Sequence, residues 1–295
     1  MIDLSIIIVN FNAKDYLKKC LDSVFESDFK NFEVIVVDNA SKDGSVEELK
    51  KFGSKIILIT NQENVGFSTA NNQGVTKTEG RYVLFLNPDT SVFPNTFRYL
   101  IKFMDKNKKA GASTCKVQLS SGKIDDSCHR GFPTPWNAFC FFSGLEKLFP
   151  HSKIFSGYHM GWENINKTHK IQACAGSFMM VRKEAGEDIG WWDEDFFFYG
   201  EDLDFCLELQ KKGWEIYYVP RVSILHYKGI SSGIKNHSKH LSHADLETKR
   251  AATTARFDAM KILYRKHYIN KYPTIVTWLV FKAINFKFWI SMKSI

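Results

Sequence analysis

No CxxC pair occurs among the six cysteines, Cys20, Cys115, Cys128, Cys140, Cys174 and Cys206. Their scatter offers neither a zinc site nor a disulfide framework, so reduced thiols in a cytoplasm are expected. No G-x-G-x-x-G follows the first predicted strand and no G-x-x-x-x-G-K-[ST] occurs anywhere, which removes the phosphate cradles of an ordinary dehydrogenase or P-loop ATPase. Proline is scarce, with 7 residues in 295, and there is no internal repeat or low-complexity tract. At 44% hydrophobic and 24% charged residues, collagen-like and disordered classes are excluded. The start, Met1-Ile2-Asp3-Leu4, lacks a basic segment, and the apolar run Ile6 to Val9 is too short for a signal peptide, so no export is expected. Near the C-terminus the longest apolar stretch, Ile275 to Phe281, stops at Lys282. That is well short of the roughly 20 residues a spanning helix needs, so contact with a membrane is expected to be peripheral.

The formal charge is +8, from 40 Lys and Arg against 32 Asp and Glu. It is unevenly placed. Residues 227 to 295 hold 13 basic and 3 acidic residues, whereas residues 1 to 226 hold 27 and 29. A basic segment followed by Trp278-Leu-Val-Phe281 and Phe286-Lys-Phe-Trp289-Ile290 suits an anionic leaflet, although the polar residues of the tail do not gather on one helical face. Packing of the tail on its own domain or on a second subunit, giving a homo-oligomer, is the alternative. Nucleic-acid binding through the surplus lacks any supporting motif.

From the N-terminus, β-branched runs alternate with segments of helical spacing. Strands are predicted at Leu4 to Val9, Phe32 to Asp38, Lys55 to Thr60 and Arg81 to Leu86, with helices at Lys14 to Phe25, Ser45 to Phe52 and Ser68 to Val75. This order predicts an α/β fold with a Rossmann-like, mostly parallel sheet flanked by helices. Further on we predict a helix over Asn95 to Lys106, a strand pair over Ala112 to Ile124, and a long irregular aromatic segment over Phe132 to Lys170. A strand at Ser177 to Val181, a helix at Asp202 to Lys212 and a strand at Glu215 to Val219 follow, and then a helical C-terminal extension from Asn236. The expected division is a catalytic domain, 1 to 226, with halves meeting near residue 93, and the basic extension, 227 to 295.

Ligands of such sheets bind beyond the carboxyl ends of the strands. Four polar stretches fall there. Asp38, ending an apolar strand, suits an acceptor for a pyrimidine imide N–H, whereas Asp43 and Ser45 read as helix caps. Asn64-Val-Gly66-Phe67 with Asn72 fits a close backbone approach and a ribose or base contact, or simply a turn. Asn87-Pro88-Asp89 delivers a carboxylate suited to a hard cation bridging a diphosphate, or again a turn. His226 closes a further predicted strand and would make a second ligand opposite a metal carboxylate. In Trp191-Trp-Asp-Glu-Asp-Phe-Phe-Phe-Tyr-Gly-Glu201-Asp202-Leu-Asp204, aromatics crowd acids at a helix start. The macrodipole explains acids there but not the aromatic wall, and Asp202, with Asp204 as the lesser choice, reads as a general base. His237, His240 and His243 read as solvated.

Leu4-Ser-Ile-Ile-Ile-Val-Asn-Phe-Asn12, Val36-Val-Asp38-Asn-Ala-Ser41, Asn64-Val-Gly-Phe67, Leu86-Asn-Pro-Asp89, Ala175-Gly-Ser-Phe178, Gly200-Glu-Asp202 and His226 come in register over residues 3 to 230. Together they resemble the family 2 glycosyltransferases of the GT-A fold, and within them the bacterial rhamnosyltransferase-like branch. The resemblance implies inverting transfer from a nucleoside-diphosphate sugar, dTDP- or UDP-linked, to a glycan or lipid-linked acceptor at the cytoplasmic membrane face. It implies that Asp38 reads the pyrimidine, that Val9, Asn10 and Phe11 line the base, and that Asn64, Gly66, Asn72 and Asn87 lie near the nucleotide sugar. Asp89 and His226 would bind Mg²⁺ or Mn²⁺, and Asp202 would deprotonate the acceptor. Asn87 departs from the stricter form of the family motif, which has Asp there. Arg130-Gly-Phe-Pro133-Thr-Pro-Trp136 resembles a segment of rhamnosyltransferase-like members and tilts the donor towards dTDP-rhamnose. The competing expectation is a non-catalytic nucleotide-sugar or glycan-binding module on the same fold.

Overall fold

The computed structural model describes residues 1–227 and 246–295. Four strands, β1 (Leu4–Asn10), β2 (Phe32–Asp38), β3 (Ile57–Thr60) and β4 (Tyr82–Leu86), run parallel in the order β3-β2-β1-β4. The reason lies in their side chains. All seven residues of β1 and all five of β4 are buried, as expected of Ile-, Val- and Leu-rich strands covered on both faces. Each fully buried side chain of this kind contributes roughly 1.5–3 kcal/mol. Helices α1 (Lys14–Phe25), α2 (Ser45–Lys50) and α3 (Phe67–Val75) make the connections, and α1 turns Leu17, Cys20, Leu21 and Val24 inward.

Beyond β4 the sheet becomes mixed. Strand β8 (Phe178–Arg182) runs antiparallel between β4 and β6 (Ala110–Leu119), and β9 (Glu215–His226) lies parallel to β6. The short strands β5 (Thr90–Val92) and β7 (His169–Ile171) pair antiparallel with β9. Six of these nine strands point the same way, so the sheet is mostly parallel. Helix α4 (Thr96–Lys106) packs on β6 and β9 with Phe97, Leu100, Ile101 and Met104 inward.

Several expectations are corrected. The strand pair at 112 to 124 is one strand, β6, with only an isolated bridge from Gln118 to Ile124 after its turn. The strand expected to end at Val219 continues to His226, accommodated by a register shift at Cys115/Lys116 of β6. Strand β5 and helix α7 (Lys183–Ile189) are additions, and the segment 132 to 170 contains two helices, α5 (Pro135–Ser143) and α6 (Leu145–Leu148). Thr134 starts α5, its hydroxyl accepting from Asn137 N at 3.2 Å, with Pro135 in the first turn. All six cysteines are buried and none is disulfide-bonded, and burial pushes the Cys20 thiol up to about 12.

Helix α8 (Glu201–Lys211) follows a left-handed Gly200. Helices α9 (Leu246–His267) and α10 (Thr274–Lys293) form a C-terminal hairpin; the part of the extension before 246, with His237, His240 and His243, lies outside the described residues. Helix α10 spans 20 residues without interruption by Lys282, and among the described residues it is long and apolar enough to cross a membrane by length and composition. The uninterrupted apolar run Ile275 to Phe281 is only part of this helix.

A buried ionic cluster fixes α9 to α8. His267 Nε2 lies 2.6 Å from Asp204 Oδ1, Lys266 donates to Asp204 Oδ2 at 2.9 Å, and Lys266 reaches Asp193 at 2.5 Å. A hydrogen bond to a charged group contributes about 1.5–3 kcal/mol. His267→Ala is therefore expected to lower the unfolding free energy by about 2 kcal/mol, read from urea denaturation.

Candidate functional site

The parallel register of β1 and β2 sets Asn10 directly beside Asp38 at the carboxyl edge of the sheet. Both are buried. Asn10 Nδ2 donates to Asp38 Oδ1 at 2.8 Å and to Ser41 Oγ at 3.0 Å, and Ser41 N donates to Asp38 Oδ2 at 2.9 Å. The Asp38 carboxylate thus has a structural role that its sequence position did not reveal. Asn10 Oδ1 is buried with no protein partner among the described residues, an acceptor suited to a ligand N–H. Phe11 follows on the rim, and Asp43 accepts from Lys14 N and Ser45 N, bridging the starts of α1 and α2 as its capping role predicts.

Asn64 and Asn39 form one amide network. Asn39 donates to Asn64 Oδ1 at 2.7 Å and accepts from Val65 N and Asn61 Nδ2. Gly66 has φ +88°, and a Cβ there would lie 2.8 Å from both Cδ2 and the carbonyl oxygen of Phe197. Asn72 accepts from Trp192 N and donates to Trp192 O and Glu194. In this structure the close approach at Gly66 and the amide of Asn72 therefore secure the aromatic segment 191 to 199. Trp192 packs edge-on to Phe67 and Phe85 and tilted against Phe205, so much of the aromatic wall belongs to the core.

The strongest convergence lies at the ends of β4 and β9. Asp89 and His226, distant in sequence, meet with Asp89 Oδ1 3.1 Å from His226 Nε2, and both are buried. The cause is topological: β5, starting right after Asp89, pairs Thr90 with His226. On the other side of the ring, His226 Nδ1 is 3.4 Å from Asp125 Oδ2. Asp125 is not singled out by the sequence, where it only follows the predicted strand pair. Burial opposes charge on His226, but the two carboxylates outweigh it and lift the imidazole to about 9. The pocket thus favours a positive centre. A carboxylate and an imidazole whose far nitrogen faces a second carboxylate is a donor set that fits a hard divalent cation, with the remaining positions left for phosphate oxygens and water. Asn87, which precedes this turn, donates its backbone N–H to Ser177 O at 3.0 Å.

Asp202 lies in the first turn of α8. Its Oδ2 accepts from Arg130 Nη2 at 2.6 Å, and Arg130 Nη1 lies 3.4 Å from the Tyr158 hydroxyl. Burial disfavours the guanidinium charge, but Asp202 and Tyr158 outweigh it and raise the arginine further. Asp125 and Arg130 are five residues apart, so one short stretch after β6 reaches both the Asp89–His226 pair and Asp202. Arg130 also pairs through its backbone with Ala173, and the chain runs from there to Ser177 beside Asn87. The metal-type ligands and the acid at the helix start are therefore joined through one short stretch of chain.

Asp204 is not part of that link. Two residues along a helix is a little over half a turn, and the carboxylate faces α9. Asp204, Glu208 and His267 come close enough to hold an ion, yet Lys266 Nζ already sits 2.9 Å from Asp204 and 3.9 Å from Glu208. The cluster is an ionic tie between helices.

The glycosyl transferase family 2 model matches residues 5–190, and the chain belongs to that family. It is 29% identical over 232 residues, 75% of this chain and 82% of the relative, to the rhamnosyltransferase WbbL of Escherichia coli K12. It is 24% identical over 251 residues, 81% of this chain and 80% of the relative, to an N-acetylglucosaminyl-diphospho-decaprenol L-rhamnosyltransferase of Mycobacterium tuberculosis. Among solved structures it resembles residues 1–349 of Staphylococcus aureus TarS, with TM-score 0.55 at 16% identity over 92% of this chain and 74% of that one. GalNAc-T7 with UDP, GalNAc and Mn²⁺ aligns with TM-score 0.58 at 16% identity over 90% and 56%. These two likenesses establish the GT-A fold.

Glu201, next to Asp202, is buried, with Oε2 lacking a partner among the described residues. Burial, aided by the neighbouring Asp202 charge, raises its carboxyl to about 8 from 4.5. Between these values the folded chain keeps a proton that the unfolded chain has lost, so stability falls as pH rises through the window. Glu201→Gln is expected to remove that slope. Its melting temperature should gain on the parent protein between pH 5 and pH 8, and parallel melting curves across this range would refute the assignment.

Proposed function

We propose that this glycosyltransferase inverts configuration while moving a sugar, rhamnose from dTDP-rhamnose being the favoured donor, to a hydroxyl of a lipid-linked glycan at the cytoplasmic membrane face. The observation that carries the reading is the meeting of Asp89 and His226 at 3.1 Å beside the Asn10–Asp38 pair. The names of the two rhamnosyltransferase relatives, one acting on a decaprenol-linked sugar, support the donor and acceptor classes.

In this reading Asp38 and Asn10 receive the pyrimidine imide, with Val9 and Phe11 along the base. Asn64, Gly66 and Asn72 shape the nucleotide side by holding the 191–199 segment, and Asn87 lies beside the sugar diphosphate. Asp89 and His226 would hold Mg²⁺ or Mn²⁺, which when bound neutralises charge building on the departing diphosphate. Asp125 orients His226 from behind. Asp202 takes the proton of the acceptor hydroxyl as its oxygen bonds to the anomeric carbon and the bond from that carbon to the diphosphate breaks. A single displacement of this kind needs one base, and inversion follows from attack opposite the leaving group. Arg130 fixes the carboxylate through Oδ2, and Oδ1, which accepts from Leu203 N at 2.7 Å, has a further lone pair for the acceptor.

Asp202→Asn should retain the thermal shift given by dTDP- or UDP-sugars while transfer falls by about 10²–10⁴. Undiminished transfer by this variant would remove Asp202 as the base. Asp125→Asn leaves both ligands in place but weakens their orientation. Mn²⁺ affinity in the presence of nucleoside diphosphate should drop roughly 10–100-fold, measured by calorimetry.

A further inference from the structure

The aromatic residues of α5 and α6 do not form a core. Trp136, Phe139, Phe142, Leu148 and Phe149 are all exposed, Phe142 at 56% and Leu148 at 72%. Monomeric soluble proteins rarely expose a contiguous apolar surface of this kind unless it is used. Helix α10 extends it. One side of α10 packs on α9, through Tyr264 against Phe281 and Phe257 against Phe288, while Ile275, Trp278, Leu279, Phe286, Trp289 and Ile290 remain outside. The two parts touch, for Lys287 Nζ lies 3.8 Å from the centre of the Phe142 ring.

The charges bordering this surface have one sign. Lys147 and Lys153 are exposed beside α6, and α10 contributes Lys282, Lys287 and Lys293 and contains no acid. The one acid between residues 132 and 160, Glu146, is drawn inward, accepting from Ser156 Oγ and His159 N at 3.1 Å each. Lys293 sits 3.7 Å from the Trp289 ring centre and Lys282 5.6 Å from that of Trp278. Aromatic plates with lysine heads beside them are the chemistry of a membrane interface, where rings lie at the headgroup level and ammonium groups meet lipid phosphates. Lys282 and Lys287 fall inside α10 and its inner side is held by α9, which favours a helix lying in the leaflet plane over one that crosses.

We infer that α5–α6 and α10 together form a two-part platform that docks on an anionic lipid leaflet. Residues 130 to 135 join the platform directly to Arg130, the partner of Asp202, so the docked face adjoins the acid proposed to receive the acceptor. This deepens the reading of a lipid-linked acceptor and rests on it only for what enters the site.

The test is co-sedimentation of the full chain with vesicles of phosphatidylcholine alone and with about a quarter phosphatidylglycerol, for the parent, Phe139→Ser/Phe142→Ser and Lys147→Glu/Lys287→Glu. These side chains are exposed, and melting curves establish that each variant folds. The parent should bind the anionic vesicles, weakening with salt, and each double variant should lose roughly tenfold or more in partition. Absence of binding by the parent, or unchanged binding by either variant, overturns the inference. So does a dimer, seen by sedimentation velocity, that the same substitutions dissociate, because the occupant would then be a second copy. No sugar donor is needed, so failure here and failure of the transfer reading are separable.

Discussion

The organisation of the site depends on one buried imidazole held between two carboxylates. His226 ends the longest strand of the sheet, and its two nitrogens face acids from different parts of the chain, Asp89 after β4 and Asp125 after β6. Buried acids are costly without a positive partner, so this arrangement requires β5 to fold back on β9 and the turn after β6 to close over it. The positions of Asn87, of Ser177 and of the stretch leading to Arg130 follow from that closure.

The N-terminal half was legible in the sequence because its strands are buried on both faces and are therefore continuous β-branched runs, as in Ile6-Ile-Ile-Val9. Their carboxyl ends were legible for the same reason, since polar residues stand out after apolar ones; Asp38 and Asp89 were found in this way. Past residue 93 the signals weaken. Strand β5 has three residues, too few for any periodicity, yet it is the element that brings Asp89 to His226. Helices α5 and α6 were hidden because their apolar residues point outward as well as inward, which erases the amphipathic pattern that marks a surface helix. Asp125 carries no local mark, and Arg130 is marked only as part of the Arg130 to Trp136 segment: their contacts come from partners 72 to 101 residues away in sequence.

Gly66 and Asn72 show how one motif can be read correctly in place and differently in contact. The positive φ and the amide were expected to serve a ligand directly. Their neighbours are the backbone and side chains of 192 to 197, so they pin the aromatic segment that precedes Asp202. The same segment is held from the opposite direction by Lys266 through Asp193.

The tie between α8 and α9 makes residue 226 a boundary in composition but not in mechanics. Asp202 and Asp204 belong to the same turn, one paired with Arg130 and the other clasped by the hairpin. A protein cut after the last strand would lose His267 and Lys266 from Asp204 and uncover the face of α8 that α9 packs against. The basic extension is therefore a strut of α8, and a displacement of the α9–α10 hairpin would reach the first turn of that helix, where Asp202 also lies.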